Sequence, residues 1–138
     1  MLGVECANRG PLSIMILVVD DDPLQAYVAV SLLERQFGEV RRASGAAEAL
    51  CLIEQPEFAG KLELLVAGHS VNGIGGPAFV AELGARMPNL PVLVLGSPGE
   101  SPSDYPGEHV AFLPRPMVAM KMVTLANVMV SLNKRSVA

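Results

Sequence analysis

The chain has 138 residues, a formal charge of −4, 51% apolar residues, 4% aromatics and no tryptophan. That length suits one domain with its own core, filled by aliphatic side chains and methionine. The acidic balance and scattered basic residues exclude a general nucleic-acid binder, which carries a basic stripe, and two cysteines at unrelated positions exclude a disulfide framework.

Residues 1–13 read as an irregular leader punctuated by Gly10 and Pro11. The apolar run Ile14 to Val19 is short and ends in three acids, so it is a strand buried on both faces rather than a signal peptide or membrane span. Asp22 followed by Pro23 is a helix N-cap with proline in the first helical position, and the helix is expected to reach about Gln36, where Gly38 stops it. Val40 to Ala43 reads as a second strand, and Ser44 as the cap of a helix from Gly45 to about Glu54 that ends near Pro56. Cys51 falls inside that apolar pattern and is expected in the core; Cys6 lies in the leader, and a reducing cytoplasm suits both.

Leu62 to Ala67 is a third strand, followed by a glycine-rich loop from Gly68 to Gly76. Pro77 restarts a helix that Pro88 closes, and Val92 to Leu95 is a fourth strand. The stretch from Ser97 to Gly107 carries three prolines and two glycines, which oppose a regular helix there. A fifth strand spans His109 to Leu113 and a last helix about Val118 to Asn133, leaving 135–138 as a tail and 14–134 as the domain. Strands alternating with helices imply a parallel sheet covered on both faces. Five such units give the flavodoxin-like doubly wound sheet, order 2-1-3-4-5, with its crevice at the carboxyl ends of strands 1 and 3 and a shortened or missing fourth crossover helix.

Val18-Val19-Asp20-Asp21-Asp22-Pro23, the segment Ala43 to Leu50, Pro91 to Leu95 and Arg115-Pro116, in that order, resemble the receiver domain of two-component response regulators. The resemblance spans about residues 14–134. It implies two acids after strand 1 that hold Mg²⁺, an aspartate after strand 3 that takes a phosphoryl group from a histidine kinase, and a hydroxyl and a lysine that contact it. Carboxylate nucleophile, divalent ion, hydroxyl and ammonium each have a chemical task in that transfer. Asp20 and Asp21 match the acid pair. The acceptor position is Gly68, the hydroxyl position Gly96, the lysine position Arg115, the switch aromatic Phe112, and Asn72 replaces the usual loop proline.

A glycine has no side chain to form an acyl phosphate, so a degenerate receiver, or pseudo-receiver, is the leading expectation: a non-enzymatic, phosphorylation-independent interaction module. Losing one carboxylate removes a charge interaction of about 4 kcal/mol at 4 Å and an effective dielectric near 20. Mg²⁺, which demands octahedral oxygen geometry, is therefore expected to bind Asp20 and Asp21 weakly or not at all. Arg115 is expected to pair with Asp20 or Asp21 instead, its planar fork matching a carboxylate. The alternatives are phosphate acceptance at a non-standard residue such as His69 or Ser70 with Mg²⁺, and, more weakly, a flavodoxin-like nucleotide or flavin binder. The last lacks a glycine-rich phosphate loop after strand 1.

On the last helix Lys121, Thr124, Asn127 and Ser131 form one polar stripe, and apolar residues cover the remainder. The surplus, assigned to Met120, Met122, Val123 and Val130, is expected to form an interface with strand 5, as a homodimer or with a signalling protein such as a histidine kinase or another response regulator.

Overall fold

The computed structural model describes residues 14–68, 76–96, 99–114 and 119–137. Along them run β1 (Ile14–Val19), α1 (Pro23–Phe37), β2 (Gly38–Ala43), α2 (Ala46–Ile53), α3 (Pro56–Lys61), β3 (Leu62–Ala67), α4 (Gly76–Arg86), β4 (Val92–Leu95), a 3-10 turn (Pro102–Asp104), β5 (Val110–Leu113) and α5 (Ala119–Val137). All pairings are parallel, in the order β2-β1-β3-β4-β5. This is the expected flavodoxin-like doubly wound sheet, and among its described residues the crossover from β4 to β5 holds a 3-10 turn and no α-helix.

The period-two geometry of a strand explains why β1 is apolar throughout. Met15, Leu17 and Val19 join one core cluster and Ile16 and Val18 the other. On the first side Ala46 and Ala49 of α2, Phe58 of α3 and Phe79 and Leu83 of α4 close the core. On the second side Ala29 and Leu33 of α1 and Met122, Ala126 and Val130 of α5 do so. The chain winds one way from β1 to β2 and the other way from β3 onward, so the loops after β1 and β3 diverge and leave a crevice at their carboxyl ends. The edge strand β2 exposes Glu39, Arg41 and Arg42, charges that discourage pairing with another sheet.

Several expectations are corrected. The segment after Pro56 is helical, because a proline that ends one helix can occupy the first position of the next. Ser44 does not cap α2; its N–H and hydroxyl both donate to Glu48 Oε1 (2.9 and 3.0 Å), and Gly45 precedes the helix. Cys51 is exposed rather than in the core. The last helix continues to Val137, so most of the supposed tail is helical. Met122 and Val130, assigned to an interface, are buried in this chain's own core: with Ala126 they follow an i, i+4, i+8 stripe that faces the sheet. Val123 packs partly against the same core. Met120 is 77% exposed, and among the described side chains the other exposed large apolar residues of this helix are Val128 and Leu132. The leader 1–13 lies outside the described residues.

Candidate functional site

The crevice is built by the first residues beyond β1, β3 and β4. Asp20 extends β1: its N–H donates to Ala43 O at 3.1 Å, while Gly68 N–H, one residue past β3, donates to Val19 O at 2.7 Å. The two ladders set Asp20 and Gly68 side by side. Asp22 turns away, its carboxylate accepting from the N–H groups of Leu24 (3.0 Å) and Gln25 (3.4 Å) as the cap of α1. Pro23 has no N–H to satisfy, so that end of the helix is closed.

Asp20 is 1% exposed, the one buried charged side chain among the described residues. Such a group is stable only when its oxygens are hydrogen-bonded. Its Oδ1 accepts from Asp22 N–H at 2.9 Å, and its carbonyl accepts from Arg42 Nη2 at 3.0 Å and Nε at 3.4 Å. The carboxylate also lies at the mouth of α1, where the aligned peptide dipoles favour negative charge.

The side chain of Asp20 points at Gly68. A Cβ placed on Gly68 would collide with the Asp20 carboxylate, 2.5 Å from its Cγ and 2.7 Å from its Cβ. Real Cβ atoms do not approach so closely, and Asp20 Cβ cannot retreat without moving backbone. The glycine is thus a steric fit to a buried aspartate, and the space in which an acceptor side chain would begin already holds a carboxylate.

Gly96 plays the same part on the other side of the crevice. It follows β4, its N–H donating to Leu113 O at 3.0 Å. A Cβ there would meet the ring of Phe112, 2.7 Å from Cε1 and 3.1 Å from Cε2. The position expected to carry a hydroxyl is therefore covered by the aromatic of β5. Tyr105, from the 3-10 segment, packs beside that ring with centroids 5.7 Å apart and is itself 6% exposed. Its hydroxyl donates to Glu100 Oε2 at 2.8 Å. Burial, then the Glu100 hydrogen bond and the negative charges of Glu100 and Asp104, raise the Tyr105 phenol well above its ordinary value.

A divalent ion needs several oxygen ligands that can converge. Among the acids after β1, Asp22 is committed to the helix end, the Asp20 side chain is turned inward onto Gly68, and Asp21 is partly exposed. No group of three His, Cys, Asp or Glu among the described residues is arranged to hold a metal ion. The structure brings together Asp20 and Gly68 on one side and Gly96 and Phe112 on the other, with Asp21, the next residue after Asp20, partly exposed. Arg115, with His69, Ser70 and Asn72, lies outside the described residues. Sequence reasoning missed Tyr105, whose one signal is an aromatic set between prolines in an otherwise polar loop.

The outer flank of α5 and β5 carries a groove of about 540 Å³ lined by Leu113, Met120, Lys121, Thr124, Leu125 and Val128. No helix among the described residues is long and apolar enough to cross a membrane.

No protein-family model matches the chain, and no curated protein matches it. Solved structures do. A response regulator receiver domain from Clostridium thermocellum superposes with a TM-score of 0.76 at 20% identity, covering 88% of this chain and 97% of that one. The receiver domain of NtrX from Brucella abortus gives 0.72 at 24% identity, over 84% and 98%. The receiver domain of the hybrid histidine kinase CckA gives 0.65 at 29% identity, over the same shares. The fold of this chain is that of the response regulator receiver domain.

Proposed function

We propose that this chain is a receiver-type module of two-component signalling that acts by binding other signalling proteins and is not itself phosphorylated. The observation that carries the reading is the contact between Asp20 and Gly68. Where the resemblance expects a nucleophile there is no side chain, and a buried, hydrogen-bonded carboxylate fills the place in which one would begin. Asp20 does not substitute as acceptor, because attack on phosphorus needs an exposed oxygen and a path for the leaving group opposite it. On this reading no phosphoryl group is transferred, and the output is recognition.

Exposed Met120, Val128 and Leu132, with the adjoining groove and the open edge of β5, form the surface proposed for a second copy of the chain or for a partner such as a kinase or another response regulator. Incubation with acetyl phosphate and Mg²⁺ followed by intact-mass measurement tests the first part. No phosphoryl adduct is expected; a stoichiometric one would establish transfer to a non-standard residue instead. Sedimentation of the wild type beside Val128→Asp and Leu132→Asp tests the second, with self-association expected in the wild type alone.

A further inference from the structure

We propose that the segment 99–107 is latched across the crevice by two aromatic rings, each seated on a glycine, and that this latch holds the β4–β5 end of the molecule in one conformation. The proposal does not depend on the missing acceptor, since none of its residues is Asp20 or Gly68. The segment is bracketed by Gly99 (φ 90°) and Gly107 (φ 143°), both in the region that side chains avoid, so its ends turn sharply. Between them Ser101 N–H donates to Asp104 Oδ2 at 2.9 Å and Tyr105 N–H to Pro102 O at 3.0 Å, which aims the tyrosine inward.

Tyr105 then meets two surfaces. Its ring lies against Phe112, and its phenol end lies against Gly76, the first residue of α4. A Cβ on Gly76 would collide with the hydroxyl and stand 3.3 Å from Cζ. Phe112 in turn rests on Gly96. The sequence Gly76–Tyr105–Phe112–Gly96 thus forms a continuous packed row from α4 to the end of β4, with no side chain at either end to loosen it. Tyr105, the buried member of the row, has little room to swing unless a neighbour moves, because packed interiors tolerate few voids, and half-buried Phe112 is held between it and Gly96. The face built from 99–107 and β5 is therefore presented in one state whatever happens in the acidic half of the crevice.

The test is paired substitution. Gly96→Ala is expected to displace Phe112 and release Tyr105, so that amide hydrogen exchange across 99–107 accelerates at least tenfold. N-acetylimidazole, which in the wild type reaches exposed Tyr27 and spares Tyr105, is expected to modify both. Adding Phe112→Ala makes room for the methyl group and should remove most of the further effect of Gly96→Ala on exchange. Independently, Gly76→Ala is expected to speed exchange in the same segment, and Tyr105→Phe, which deletes the colliding oxygen, to restore it. This second pair decides the matter if Gly96→Ala does not fold. Protection of 99–107 unchanged by either glycine substitution, or glycine effects that simply add to those of the ring substitutions, would overturn the latch.

Discussion

Placing an aspartate at position 68 restores the residue type that the receiver chemistry requires, and here it should damage the protein. The new Cβ would lie 2.5 Å from Asp20 Cγ and 2.7 Å from Asp20 Cβ, so either the β1 end or the β3 end must shift. Overpacking of this kind costs about 1–3 kcal/mol. The second carboxylate adds repulsion with a buried anion, about 4 kcal/mol for full charges 4 Å apart at an effective dielectric near 20. Protonation of one member caps that cost. Gly68→Ala carries the steric part alone, so urea denaturation of the two variants separates the effects. Against a domain stability of about 5–15 kcal/mol, Gly68→Asp should be marginal and Gly68→Ala intermediate.

The pH dependence fixes the sign. A carboxyl beside another has its folded pKa raised, so its neutral form is favoured in the native state, and the penalty grows as pH rises from the ordinary aspartate value of about 4 to that raised value, above which it is constant. The gap between the Asp and Ala variants should therefore narrow as pH falls from 7 toward 5. Asp20→Ala combined with Gly68→Asp should recover part of the loss. Equal stability of wild type, Gly68→Ala and Gly68→Asp at pH 7 would refute the fit between Asp20 and Gly68.

Met122→Ala should cost about 2–5 kcal/mol in chemical denaturation as a core truncation, whereas Val128→Asp on the outer flank of the same helix should leave stability within about 0.5 kcal/mol. Asp22→Ala removes the acceptor for two N–H groups at the start of α1 and should cost about 0.5–2 kcal/mol by the same measure. The raised Tyr105 phenol means stability that is complete below the ordinary tyrosine range near pH 10 and lost as pH climbs toward the folded value. Tyr105→Phe should flatten that alkaline decline in thermal melts.

The middle of the sheet was legible because β1, β3 and β4 are short, mainly apolar runs each closed by an acid or a glycine, and a strand covered on both faces has to be written that way. The start of α1 was equally plain, since Asp22 and Pro23 have one local role each. The split between α2 and α3 was not, because Pro56 serves as both a stop and a start. The α5 interface was misassigned for a geometric reason. A helix apolar around most of its circumference does not announce which stripe meets the sheet, and Met122, Ala126 and Val130 were chosen by their phase relative to β5, which only the fold sets. In the crevice the identities of Gly68 and Gly96 could be read, but their surroundings could not. That Asp20 and Phe112 fill the space beside them, and that Tyr105 joins the second, depends on contacts between segments far apart in the chain.

The most direct trial of the account follows the backbone amide signals of Asp20, Asp22, Gly68 and Gly96 by NMR during a millimolar Mg²⁺ titration, with and without acetyl phosphate. A cleft already filled by its own side chains predicts no saturable shift at these four positions under either condition. A saturable Mg²⁺-dependent movement of Asp20 and Gly68, enlarged by the phosphoryl donor, would contradict it.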